Sequence, residues 1–157
     1  MKPRNDDART RSQTLLIRPW WEPELAVQGH DPLGEYAEVF WLPVLGPSAL
    51  CALRWLCRRL VSAPEGFEVP HREFARSLGL GSRSGANSPS VRCLERLGYF
   101  HLVRSLEPGS GPMASPGGGP ASARGPVDSR CFGVRTHLPE LPRHLERRLP
   151  RSMRNRS

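Results

Sequence analysis

The chain has 157 residues and a formal net charge of +8. That length suits one domain of ordinary size. With the ends and one loop set aside, roughly 100 residues remain for a core, enough to fold alone. The first 14 residues are polar and charged, with no apolar run of the signal-peptide kind, so a cytoplasmic protein is expected.

The charge is uneven. Residues 1–66 carry eight basic and eight acidic groups, residues 67–104 six arginines against three glutamates, and residues 139–157 six arginines against two glutamates. The excess therefore lies in the second half, where a polyanion-binding surface would show it. Lys2 is the only lysine. Together with the richness in alanine, proline and glycine, this arginine bias points to a high-GC genome, so the basic composition partly reflects codon pressure. Residues 20–38 hold five acids and no Lys or Arg.

In chain order, residues 1–34 read as a disordered or loosely packed segment whose few apolar anchors are Leu15, Leu16 and Ile17. Trp20 and Trp21 are expected to lie against the domain or a partner. Residues 36–42 suggest an extended or short helical lead-in. The stretch 39–57 has one charge, Arg54, but Pro43, Gly46 and Pro47 break it, so a buried core segment is expected rather than a membrane span. Pro47 fits the first turn of a helix over 47–62, with Leu50, Leu53, Leu56, Cys57 and Leu60 as its apolar stripe. Phe67 and Val69 alternate with Glu68 as a short strand.

A second helix begins at Pro70, buries Phe74, Ala75 and Leu78, and ends near Gly79 or Gly81. A third, over about 88–98, is capped by Asn87 or Ser88 with Pro89 at its first position. Val91, Leu94 and Leu97 give it a core face. Residues 99–103 read as a strand, 105–129 as a low-complexity wing loop, and 130–137 as the returning strand. A last short helix over 141–149 leads to the basic tail, 151–157. The expected fold is mainly α with a small β-hairpin: a winged helix-turn-helix over 35–150 with a long flexible wing.

That order makes nucleic-acid binding the leading functional expectation. A recognition helix locks one side onto the domain and presents the other to the major groove. Ser88, Ser90, Arg92 and Arg96 carry suitable chemistry, since arginine can read guanine edges while serine and backbone N–H groups fix phosphate. Arg83 and Asn87 in the preceding turn are placed for the backbone, and Arg124 and Arg130 put positive charge on the wing. The tail arginines (147, 148, 151, 154, 156) could add phosphate contacts. Against this stand blander readings: exposed residues of a helical domain, a wing of drifting length, and a tail that only solubilises.

The four cysteines form no CxxC pair and have no histidine at metal spacing. Small hydrophobes in a reducing cytosol are expected, with Cys93 the best placed if one senses redox state. The five histidines are scattered. The glycine pattern at 79–85 lacks the phosphate-loop lysine, and no nucleophile motif is present. No enzyme, cofactor or metal is expected.

At residues 88–104, SPSVRCLERLGYFHLVR, the chain resembles the recognition helix and first wing strand of bacterial winged-helix regulators, the broad class holding MarR-like and ArsR-like proteins. Val91, Leu94, Leu97 and Gly98 match the frame. Residues 36–150 are also similar to a group of uncharacterised actinobacterial proteins. The resemblance implies a winged helix that binds double-stranded DNA in transcription regulation. The turn 79–87 and the wing are longer than the frame allows, and the dimerisation helix and cysteine metal sensor of those classes are missing. Their ligand roles are not carried over. The alternative is a winged helix serving protein–protein interaction, with Trp20 and Trp21 at the interface; the oligomeric state is left open.

Overall fold

The computed structural model describes residues 13–81, 87–106 and 129–154. Four strands form one sheet: β1 (Thr14–Trp20), β2 (Phe67–Pro70), β3 (Val103–Leu106) and β4 (Ser129–Arg135), in the order β2-β1-β4-β3. β1 runs antiparallel to β2, with Leu15 opposite Val69, and parallel to β4, with Ile17 opposite Phe132. β3 and β4 pair antiparallel, Val103 facing Val134.

The sheet is thus larger than the hairpin expected from the sequence, and the chain is mixed α/β rather than mainly α. The difference comes from β1. Alternation in Thr14–Trp20 buries Leu15 and Ile17, at 2% and 1% exposure, on the face that carries Val69, Val103 and Val134. This corrects the expectation that residues 1–34 are loosely packed: over the described part, 13–34, they supply an inner strand of the sheet and a short helix, α1 (Pro23–Gln28). His30 then bridges to Leu138 through paired backbone hydrogen bonds.

Residues 36–42, expected as a lead-in, form a π-helical turn, Ala37–Trp41, that runs into α2 (Leu42–Leu45). Gly46, at φ +81°, separates α2 from α3 (Pro47–Ser62). α3 falls on the bounds the sequence predicts, and its buried residues include the whole expected stripe. Among the described residues no helix is long and apolar enough to cross a membrane. Instead Trp41, Val44, Leu45, Leu53 and Leu56 form the centre of the core.

Arg54, the lone charge in that apolar stretch, serves as a clamp. Its guanidinium donates to the carbonyls of Pro32 (3.1 Å) and Gly34 (3.0 Å) and pairs with Glu38. Gly66 lets the chain re-enter the sheet: its φ is +112°, and a side chain there would strike the Ile17 carbonyl.

α4 (His71–Ser77) and α5 (Pro89–Tyr99) follow. The helix predicted over 88–98 runs on through Tyr99, so the expected strand start is lost. The turn is made by His101 in the left-handed region (φ +57°), and β3 begins only at Val103. Residues 141–149 are not a regular helix. Their backbone bonds run three residues back, as from Leu145 to Pro142 and from Leu149 to Glu146, and the segment settles into 3₁₀ turns at Glu146–Arg148 and Arg151–Met153.

Candidate nucleic-acid interface

α5 carries the site predicted from sequence. Ser88 caps it, accepting the Val91 N–H at 3.4 Å, and Pro89 occupies the first turn. Ser90, Val91, Cys93, Leu94 and Leu97 are buried against the sheet and neighbouring helices. Arg92, Glu95, Arg96 and Tyr99 remain exposed. At 100° per residue these four fall on one arc about 100° wide, and at 1.5 Å rise they span about 10 Å along the axis. The helix therefore has one outward stripe, which runs from Arg92 to Tyr99.

Two expected contact residues are not on it. Ser88 and Ser90 are 2% and 1% exposed. Ser90 Oγ lies 2.9 Å from His71 Nε2 and 3.4 Å from Ser88 Oγ. The reading of these serines as exposed groove contacts is corrected: both lie inside the α4–α5 junction, where a hydroxyl can satisfy a buried imidazole. His71 is itself fixed, since its backbone N–H donates to the Gln13 carbonyl at 2.8 Å. Burial, and after it the charge of Arg130, holds the imidazole below its usual 6.5, in the neutral form.

Asn87 is exposed just ahead of the cap. Arg130 is exposed at the start of β4, beside Val91 and Glu95 in a small cleft of about 200 Å³. Arg96 is exposed but committed in part: Nη2 donates to the Val44 carbonyl at 2.8 Å, and the guanidinium lies 5.8 Å from the Phe100 ring. Arg148 approaches the same ring at 5.7 Å, which brings one C-terminal arginine to the end of α5. On its other flank α5 faces the start of α3 across a groove of about 360 Å³ lined by Ser48, Arg92, Cys93 and Arg96. Arg83, Arg124 and Arg156 lie outside the described residues.

Tyr99 is not among the residues singled out from the sequence. It is 75% exposed and shares the stripe with Arg92 and Arg96. The signal was the spacing 92, 95, 96, 99, hidden because Gly98 reads as the end of the helix.

Searches against family models, curated proteins and solved structures return no match to the chain.

Two of the four cysteines offer little reactivity. Burial pushes the Cys57 thiol up to about 12, and burial with neighbouring Cys51 raises Cys93, so both stay protonated and poorly nucleophilic. Among the described residues no group of three or more His, Cys, Asp or Glu side chains is placed to hold a metal ion.

Proposed function

We propose that the protein is a winged-helix DNA-binding protein, acting in transcription regulation, with α5 entering the major groove. The observation that carries this reading is the outward stripe of α5. It presents two arginines, a glutamate and a tyrosine on a helix whose opposite side is locked into the core. The order α3, β2, α4, α5, β3, β4 supports it, as do Arg130 on the flank of α5 beside Glu95 and Arg148 beside Phe100 at its end. Arg92 can read a guanine edge or pair with phosphate, Tyr99 can bond phosphate or pack on the sugar, and Arg130 and Asn87 suit the backbone. Ser88 and Ser90 act from within, holding α5 at a fixed angle to α4. Binding of a mixed-sequence duplex across a salt series, with Arg92→Ala beside the wild type, tests the proposal.

A second reading has its own observation. Trp21 is 60% exposed and Val61 74%, and both line an apolar groove of about 350 Å³ with Pro19, Leu33, Leu60 and Pro64. Exposed aromatic and aliphatic groups at a groove mark protein contacts. Trp20 does not join it: Arg104 and Arg135 lie over its ring at 4.4 and 4.0 Å. Partner binding lost with Trp21→Ala, in a protein that does not bind DNA, would favour this interaction module.

A further inference from the structure

Residues 140–154 line a further cavity, of about 510 Å³, against the π-helical turn. Two bonds fasten the segments together. Trp41 Nε1 donates to the Pro139 carbonyl at 3.3 Å, and the Leu141 N–H donates to the Tyr36 hydroxyl at 3.0 Å. The space left between them falls in the range of small-molecule sites, about 300–1,000 Å³.

Its floor is aromatic. His30 stacks on Tyr36 at 3.5 Å and 10°, and Phe40 leans on the same ring at 4.6 Å and 32°. The π-helical turn Ala37–Trp41 accompanies this arrangement, and such turns are frequent at functional sites. Leu149 and Met153 add apolar wall.

The polar lining is Glu140, Arg143, Glu146 and Arg154. Arg143 and Glu146 lie in the tight turns over 143–148, and Glu140 in the extended stretch just before them. Arg154 is occupied with the carbonyls of Leu149 (3.0 Å) and Arg147 (2.7 Å). Among the described residues neither Glu140 nor Glu146 has a salt-bridge partner. Their negative potential reaches the floor: burial raises the Tyr36 phenol first, the Leu141 hydrogen bond opposes it, and both carboxylates raise it further.

We propose that this cavity binds a small organic cation, an amine carried on an apolar frame. The frame would lie against Phe40, Leu149 and Met153, and the ammonium would take the Glu140 and Glu146 carboxylates. The site stands apart from the α5 stripe and does not depend on the nucleic-acid reading.

The test is titration of the full chain, labelled at methionine methyls, with 2-phenylethylammonium. Neutral 2-phenylethanol and anionic phenylacetate serve as probes of the same frame, and Met153 is assigned with Met153→Leu. The expected result is a saturable shift of the Met153 methyl by the ammonium, with phenylacetate at least about tenfold weaker. Glu140→Gln/Glu146→Gln should weaken the ammonium by about tenfold at an unchanged melting temperature. Arg143→Gln, which removes a like charge, should tighten it. Equal affinity for the three probes, unchanged binding in both variants, or no saturable shift with the ammonium would overturn the proposal.

Discussion

Ser90 and Arg92 sit two positions apart on α5 and have different work to do. Ser90 is buried and bonded to His71, whereas Arg92 is exposed at the start of the stripe. Ser90→Ala should leave the imidazole nitrogen without a partner and cost about 1–3 kcal/mol of stability. Ser88→Ala, which removes the helix cap, should cost about 1 kcal/mol. Arg92→Ala should change stability by less than about 0.5 kcal/mol and show its effect on DNA. Urea unfolding of the three variants separates the roles; a destabilised Arg92→Ala or an unaffected Ser90→Ala would reverse them. His71 adds a pH dependence. Its folded-state pKa is held below the ordinary 6.5, so the unfolded chain takes up the proton first as pH falls. Its contribution is fully present above pH 6.5 and is lost as pH drops through the folded-state value. Melting temperatures across pH 7.5 to 4.5 should show His71→Gln lacking that part of the decline.

At the scale of elements, β1 decides the architecture. It joins β2 to β4, and its Leu15 and Ile17 are nearly inaccessible. Ile17→Ala should cost about 2–5 kcal/mol, as measured by the urea midpoint; a near-neutral effect would mean that β1 is peripheral. This strand was the least legible part of the sequence. Only two residues of its short apolar run, Leu15 and Ile17, face the core, and its parallel partner lies more than a hundred residues downstream, so nothing local announces the pairing. α3 was the most legible, because Pro47 at its start and a regular apolar stripe are both local signals. In α5 the register was readable but the depth was not. Serines at a helix start read equally well as phosphate contacts or as a buried cap, and only the position of His71 on α4 separates the two. Tyr99 escaped because a mid-pattern Gly98 looks like a stop. The 3₁₀ turns near the C-terminus keep apolar spacing without a helical ladder, so Leu141, Leu145 and Leu149 read as a helix that does not form.

For the whole molecule, the net charge of +8 lies in the half that holds α4, α5 and the C-terminal turns. Long-range attraction to polyanions should therefore be steep in salt and should survive the loss of any single arginine. The apolar groove at Trp21 and the aromatic cavity at Tyr36 are separate surfaces that share no lining residue. A DNA contact, a protein contact and a small ligand could each be lost without the others. The most direct test of the α5 assignment is fluorescence anisotropy of the full chain on a mixed-sequence duplex between 50 and 200 mM salt, with Arg92→Ala and Arg92→Ala/Arg96→Ala alongside. The expected result is an affinity that falls log-linearly with salt and a slope reduced by about one unit for each arginine that pairs with phosphate. Absence of binding at 50 mM salt, or variants that bind like the wild type, would contradict α5 as the DNA-contacting surface.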